Sequence, residues 1–260
     1  IAAEVTPFAK TGGLGDVATG LSRALGREGH DVRVFLPFYA RVAKLDFPFV
    51  AVDFLRDVEI HLGPRKFTYS VFTTRLPASE VDAYFVHCPA LYHHDSIYSG
   101  EWDEYLRYAL LTRAALECCQ RMGWAPDIVH VHDWHTALAP IYLRTLYAWD
   151  RLFARTRTVL TLHNLGYQGV FGAQILGDLG LAAHAHLLHQ EDLAAGRVVI
   201  ELAPAFDPDW IDPVCKMHAP LAAYRRATPT GPWFCSERCA EAYRRSPETY
   251  PRKGKATDLA

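Results

Sequence analysis

A glycine-rich loop, Lys10-Thr11-Gly12-Gly13-Leu14-Gly15-Asp16-Val17, constrains this chain more than any other segment. It follows the strand-like residues Ile1-Ala2-Ala3-Glu4 and opens a helix. Apolar residues recur along that helix at helical spacing: Leu14, Val17, Ala18, Leu21, Ala24 and Leu25. Gly29 is placed to end the helix, and residues 31–36 are predicted to form the next strand. The pattern therefore predicts a strand–helix–strand unit of an α/β fold.

The composition of this loop favours a negatively charged ligand. Glycines let backbone N–H groups approach a ligand closely, and the first turn of the following helix carries partial positive charge. Lys10 adds a full positive charge. The loop lies where an open α/β sheet binds its ligands, so we predict a cradle for a phosphate or a sugar phosphate.

Three interpretations of the loop compete. A P-loop requires Gly-Lys-Ser/Thr at the end of the loop, and it is rejected because Lys10 precedes the glycines. The relaxed dinucleotide fingerprint is matched by Gly13, Gly15 and Ala18, but the next strand ends in Phe35-Leu36-Pro37 without the acidic residue that holds a ribose hydroxyl. A tight strand–helix turn with no ligand remains a third interpretation.

Two further segments favour a ligand-binding role for the glycine-rich loop. Val129-His130-Val131-His132-Asp133-Trp134-His135 and Thr161-Leu162-His163-Asn164-Leu165-Gly166-Tyr167-Gln168-Gly169 each follow or complete a predicted strand, over residues 127–132 and 158–162. With the glycine-rich loop, they resemble the three motifs of bacterial glycogen synthases and plant starch synthases, in the same order. The resemblance covers residues 1–197.

The resemblance implies a GT-B fold, in which two Rossmann-type domains face a cleft. It also implies transfer of glucose from ADP-glucose to the non-reducing end of an α-1,4-glucan with retention of configuration, so the expected partners are ADP-glucose and α-glucan. No cofactor is expected for glucosyl transfer. The expected fold class is therefore α/β, a Rossmann-like parallel sheet that forms the N-terminal half of a GT-B enzyme.

Site residues follow from the resemblance, motif by motif. Ligands bind outside the carboxyl ends of parallel strands, so the three motifs are expected to converge on one edge of the crevice. His135 and Asp133 are the implied catalytic residues: His135 would hydrogen-bond the transferred sugar, and Asp133 is not assigned as a nucleophile. The implied substrate-binding residues are Lys10, Thr11, Gly12, Gly13, Gly15, Asp16, His163, Asn164 and Gln168.

Simpler interpretations of the same motifs stay open. His130 and His132 alternate with valines, which is typical of packed strand histidines, although three histidines at this spacing can also ligate a metal. Trp134 is predicted to belong to the core. Residues 101–121 and 134–148 are predicted helices, with Pro140 expected to disturb or delay the start of the second. The thiols Cys88, Cys118 and Cys119 are predicted to be buried.

The match to the synthases stops near Arg197. The second Rossmann domain cannot fit into the remaining 63 residues, 198–260. We therefore expect an incomplete transferase domain. If the chain is complete, it should not transfer glucose at a normal rate, and transfer at such a rate by the purified 260-residue chain would contradict this expectation. The alternative function is a non-catalytic remnant that binds glucan or nucleotide sugar.

A different module is predicted after a linker at residues 198–210. Residues 211–251 resemble the YHS domain, a small cysteine-bearing module linked to heavy metals, and residues 252–260 form a tail. The implied metal ligands are Cys215, Cys235 and Cys239, with zinc or copper as candidate metals. A helix is predicted from Glu237 to Arg245, and its N-terminus would lower the pKa of nearby thiols. A cysteine-containing core without metal, or a Cys215–Cys235 disulfide, remains an alternative.

The overall composition limits the partners. Of the 260 residues, 50% are hydrophobic and 22% are charged, with a net charge of −2. This near-neutral charge gives no support for nucleic-acid binding. No apolar run is long enough to span a bilayer and no signal peptide is evident, so we expect a cytoplasmic protein without a membrane partner.

The metal prediction is tested directly by the substitution Cys235→Ser. Loss of one thiolate ligand is expected to lower the amount of zinc or copper bound by the purified chain. Elemental analysis of the two proteins measures this, and the absence of metal from both would contradict the predicted site.

Overall fold

The computed structural model describes residues 1–94, 96–164, 166–200, 237–246 and 249. The chain divides into two compact units, Ile1–Pro204 and Ala205–Ala260. In the first unit the strands are β1 Arg33–Pro37, β2 Val50–Ala51, β3 Val58–Leu62, β4 Arg65–Arg75, β5 Asp82–His87, β6 Ile128–His132, β7 Arg157–Thr161, β8 Val170–Gly172 and β9 Arg197–Val199. Its helices are α1 Gly13–Arg27, α2 Pro89–Tyr92, α3 Glu104–Met122, α4 Asp133–Thr136, α5 Ala139–Arg144, α6 Ile175–Asp178 and α7 Gln190–Ala194.

The sheets combine parallel and antiparallel pairs. β1 pairs in parallel with β5, and β6 pairs in parallel with β7. The antiparallel strand β4 joins β5 to β2 and also pairs with β3. The α/β class and the parallel elements are therefore as predicted, whereas the antiparallel β2–β3–β4 part of the sheet is an addition to a purely parallel arrangement.

The segment Ile1–Glu4 differs from its prediction as a strand. The Ala2 N–H donates a hydrogen bond to the Phe35 carbonyl of β1 (3.0 Å), but the four residues form no regular ladder with β1. The segment nevertheless leads towards the glycine-rich loop, and its last residue, Glu4, lies beside that loop.

Helix α1 agrees closely with the sequence pattern. It begins at Gly13 and ends at Arg27, and Gly29 follows with a left-handed φ of 88°, as expected for the residue that terminates a helix. Leu14 and Ala18 are buried, whereas Val17 and Leu25 are exposed. Only part of the apolar stripe therefore faces the core.

Helix α3 lies at the centre of the first unit. It begins at Glu104, three residues later than predicted, and Trp102 before it is 71% exposed. Most of its residues are buried, including polar ones, so the helix is packed on nearly all sides. Cys118 and Cys119 on this helix, and Cys88 before α2, are buried free thiols as predicted.

The predicted helix over residues 134–148 is two short helices. α4 ends at Thr136, and α5 begins at Ala139 with Pro140 in its first turn. Proline has no N–H and tolerates only the start of a helix, so it marks a new beginning at this point.

The first unit continues beyond the residue at which we placed its end. β9 runs to Val199 and pairs in antiparallel fashion with β8. Val198 and Ile200 are buried. Residues 198–200, predicted to open the linker, therefore belong to the packed unit.

The second unit has one described helix, α8 Glu237–Arg245, with the bounds predicted from the sequence. Cys239 is the third residue of α8. Cys215 and Cys235 lie outside the described residues, as does most of the predicted YHS-like module. Among the helices described in either unit, none has the length and apolar character needed to cross a membrane.

Truncation of Leu110 at the centre of α3 tests the assignment of the core. Leu110 has no exposed surface, so Leu110→Ala should lower the free energy of unfolding by about 2–5 kcal/mol through lost burial and a cavity. Leu25→Ala on the exposed side of α1 is the control, with an expected loss below about 0.5 kcal/mol. Urea denaturation measures the free energy of unfolding of both variants. Equal losses of stability would show that α3 is not central to the core.

Candidate functional site

The carboxylate of Glu4 organises the glycine-rich loop. It accepts hydrogen bonds from the Thr11 N–H (2.6 Å), the Thr11 hydroxyl (2.7 Å) and the Gly12 N–H (3.1 Å). The hydroxyl of Tyr98, distant in sequence, donates a further one. Burial alone would raise the pKa of Glu4, but these donors favour the carboxylate and together hold the pKa below its ordinary value. Glu4 therefore stays ionised and fixes the loop.

The glycines of the loop have different roles. A Cβ at Gly12 or Gly13 would meet nothing within 4 Å, so the space above both residues is open. At Gly15 a Cβ would approach the Thr6 hydroxyl to 3.1 Å and the Ala9 carbonyl to 3.3 Å, so this glycine allows the loop to pack against α1. The N-cap residue, Gly12, has no side chain to satisfy the first N–H groups of α1. An anion can accept hydrogen bonds from those groups.

Lys10 and Asp16 form an ion pair across the loop. The Lys10 Nζ lies 2.5 Å from Asp16 Oδ2, and both side chains are about half exposed. The Thr6 hydroxyl donates a second hydrogen bond to Asp16 (2.9 Å). The hydrogen bond from Lys10, followed by that from Thr6, lowers the pKa of Asp16. Lys10 is thus held at the loop by a partner that an incoming anion can displace or share.

Asp133 connects the second predicted motif to the third. It follows β6 directly and has a φ of 54°, a left-handed conformation that is uncommon for a residue other than glycine. Its Oδ1 accepts a hydrogen bond from the His163 N–H at 2.5 Å. Burial raises the pKa of Asp133, against the lowering effect of the His163 and Asn164 N–H groups. The unusual backbone conformation therefore coincides with a contact between the two motifs.

His135 lies in an aromatic enclosure. Its ring centroid is 4.5 Å from that of Tyr108, 4.9 Å from that of Tyr98 and 4.3 Å from that of Trp134. Burial lowers the pKa of His135 to about 3, so the imidazole is neutral near pH 7. Its Nδ1 is buried and has no hydrogen-bond partner among the described residues. Trp134 is buried, as predicted.

The loop after β7 carries the third motif. The Asn164 side chain accepts a hydrogen bond from the Gly166 N–H (3.0 Å) and is exposed, and Gln168 is half-buried. Gly169 has a φ of 64°, and a Cβ there would come within 2.6 Å of the Trp134 ring. Close packing on Trp134 therefore places the end of this loop beside the second motif.

The histidines of β6 form a stack with His163. The His130 and His132 rings are 4.5 Å apart with an interplanar angle of 16°, and the His132 and His163 rings are 5.2 Å apart. They are packed strand histidines, one of the two interpretations left open. In the part of the chain that the structure describes, no group of three or more His, Cys, Asp or Glu residues is arranged to hold a metal. The proposed ligands Cys215 and Cys235 fall outside that part.

The three motifs are brought together by side chains that the sequence motifs did not identify. Glu4 bonds the glycine-rich loop and Tyr98, and Tyr98 lies against His135. Glu4 could have been noticed as an acidic residue at the end of the first segment, six residues before Lys10 of the glycine-rich loop. Tyr98 is 94 residues away from Glu4, and no local pattern relates the two.

Comparison with known proteins gives the family. A family model described as the starch synthase catalytic domain matches residues 1–202. The chain belongs to this family. A glycogen synthase from Treponema denticola is 36% identical over 186 residues, and glycogen synthase 2 from Geobacter sulfurreducens is 40% identical over 185 residues. Each alignment covers 70% of this chain and 37% of the relative, so the chain spans little more than a third of the length of these synthases.

A solved structure agrees with this family. The catalytic domain of starch synthase IV from Arabidopsis thaliana, bound to ADP and acarbose, superposes with a TM-score of 0.70 at 33% sequence identity. The match covers 78% of this chain and 41% of the plant chain. The family model ends at residue 202, so it carries no information on the predicted YHS-like module.

Replacement of the Glu4 carboxylate tests its role in this synthase-family domain. Glu4→Gln puts an amide NH₂ or a weaker acceptor against the Thr11 and Gly12 N–H groups, so the free energy of unfolding should fall by about 1–3 kcal/mol at pH 7. Urea denaturation measures the loss, with Glu28→Gln on the exposed end of α1 as the control.

The difference in stability between wild type and Glu4→Gln should depend on pH. Because the folded-state pKa of Glu4 is lowered, its stabilisation is fully present above the ordinary glutamate pKa of about 4.3 and is lost as the pH falls through the lowered value. The difference between wild type and Glu4→Gln should therefore shrink below about pH 4. A difference that is constant with pH, or as small as that of the control, would contradict the assigned role.

Proposed function

We propose that the first unit is a glycogen/starch synthase-like glucosyltransferase domain that binds ADP-glucose and acts on an α-1,4-glucan. The observation that carries the proposal is the contact of three motifs through Glu4, Tyr98 and Asp133, at the loop of α1 and the carboxyl ends of β6 and β7. Membership of the family supports the same activity, and the ADP bound to the plant starch synthase supports a nucleotide ligand.

The glycine-rich loop is the proposed binding site of the donor diphosphate. Open space above Gly12 and Gly13, the uncapped start of α1 and the ammonium of Lys10 all favour an anion there. Asp16 holds Lys10 in place before the donor arrives. Thr11 and Gly15 have structural roles in this proposal, because one is bonded to Glu4 and the other packs against Thr6.

The protonation state of His135 favours binding over proton transfer. A general acid or base works best with a pKa near the operating pH, and burial holds the pKa of His135 near 3. The neutral ring can still exchange a hydrogen bond with a sugar hydroxyl through a ring nitrogen. We therefore propose that His135 orients the transferred glucose.

The carboxylates of the cluster favour a mechanism without an enzyme nucleophile. Retaining glycosidases use two carboxyl groups, one of them as a nucleophile. Here Glu4 is bonded to the loop, Asp16 to Lys10, and Asp133 to the His163 N–H. We propose that Asp133 acts by holding the third motif, with Asn164 and Gln168 as partners for sugar hydroxyls, and that the donor phosphate assists its own departure.

The second unit is proposed to be a YHS-like module that binds zinc or copper through Cys215, Cys235 and Cys239. The position of α8, with Cys239 in its first turn, supports this proposal. If transfer by this chain is absent, the alternative is a non-catalytic domain that binds nucleotide sugar or glucan and is fused in sequence to this module.

Titration with ADP-glucose tests the proposed donor site. Lys10→Ala removes a charge-assisted contact to the diphosphate and should weaken binding of ADP-glucose about tenfold, as measured by isothermal titration calorimetry. Lys66→Ala is a matched control, because Lys66 forms an ion pair of the same length with Glu59, 2.5 Å, in the β3–β4 hairpin. Equal effects of the two substitutions, or no binding by the wild-type chain, would contradict the proposal.

A further inference from the structure

We propose that His132 is a positioning residue that fixes the proton of His163 on Nε2, so that His163 presents Nδ1 as a hydrogen-bond acceptor. The use of that acceptor by a sugar hydroxyl rests on the proposed function. His132 lies at the end of β6, and its role differs from those of its neighbours Asp133 and His135. It acts on the ligand through another side chain.

The geometry that carries this inference is a direct contact between two imidazoles. The Nδ1 of His132 lies 3.0 Å from the Nε2 of His163, a hydrogen-bond distance. His132 is 5% exposed and is clamped from its other face by the parallel ring of His130. Its backbone is also held, because its N–H donates to the Thr136 hydroxyl at 2.8 Å. His132 is therefore a rigid partner.

A hydrogen bond between two neutral imidazoles contains a single proton, and burial favours the neutral form of His132 and of His130. Burial lowers the pKa of His132 to about 2 and also lowers the pKa of His130. One ring nitrogen of the pair must then donate and the other accept. If His163 Nε2–H donates to His132 Nδ1, both rings have the Nε2–H form that isolated neutral histidine prefers.

The third ring of the stack agrees with this assignment. The Nε2 of His130 lies 2.8 Å from the Thr161 hydroxyl, so the same Nε2–H form gives it a donor bond. The proton positions are thus consistent along the stack from His130 to His163. His163 is left with an unprotonated Nδ1.

The position of the proton on His163 decides whether a ligand group at Nδ1 must donate or accept a hydrogen bond. The backbone of His163 is fixed by Asp133 and its ring by His132, so both its position and its proton are set before a ligand arrives. An unprotonated Nδ1 accepts from a hydroxyl and repels a lone pair. The acceptor suits a sugar hydroxyl and gives no advantage to a phosphate oxygen.

Nitrogen-15 NMR of the full chain, labelled at histidine, tests the proton assignment without any ligand. We expect the His163 signals, identified by their loss in His163→Gln, to show a protonated Nε2 and an unprotonated Nδ1. In His132→Phe, which keeps an aromatic ring but has no acceptor, the two forms of His163 should become mixed. His132→Asn can accept through its side-chain oxygen and should restore the wild-type pattern, and His130→Phe should leave it unchanged.

Binding measurements test the consequence for the sugar. His132→Phe should weaken ADP-glucose binding about twofold, because mixed forms of His163 leave only about half of the molecules with the Nδ1 acceptor, and it should leave ADP binding unchanged. His132→Asn should bind both ligands nearly as the wild type does. A protonated Nδ1 in wild-type His163, or equal effects on ADP and ADP-glucose, would overturn this inference. Failure of the wild type to bind either ligand would overturn the proposed function, while the NMR result would still decide the proton assignment.

Discussion

The hydrogen bonds to the Glu4 carboxylate are the interaction on which the arrangement depends. A buried carboxylate is unfavourable unless donors surround it, and here the donors come from the glycine-rich loop and from Tyr98. The same bonds that keep Glu4 ionised fix the loop over the first turn of α1. They also place Tyr98 against His135. One carboxylate therefore links the anion-binding loop to the motif after β6.

The rest of the site is built from the core, not added to its surface. His135 is enclosed by Tyr98, Tyr108 and Trp134, and Tyr108 belongs to the central helix α3. The third motif approaches Trp134 so closely at Gly169 that no side chain fits. A change in the packing of α3 or Trp134 would therefore displace groups at the site. This coupling explains why polar residues such as His132 and Asp133 are as buried as their apolar neighbours.

Local patterns in the sequence were sufficient for the elements that depend on local physics. The apolar spacing and Gly29 predicted α1, the helix predicted from Glu237 to Arg245 has the bounds of α8, and the alternation of histidine with valine on β6 was one of two open interpretations that the packed rings agree with. The carboxyl ends of β6 and β7 were predicted to meet, and the Asp133–His163 bond joins them. The division of residues 134–148 into α4 and α5 was missed because a proline in a first turn permits either a late start or a second helix. The roles of Glu4 and Tyr98, and the burial of residues 198–200, were missed because they depend on contacts between distant segments.

The most direct measurement is a crystal structure of the chain soaked with ADP-glucose. The account predicts the diphosphate at residues 10–16, over the start of α1, and the glucose between His135 and the loop that contains His163 and Asn164. A donor bound to other segments, with residues 10–16 and the space beside His135 left empty, would contradict this account.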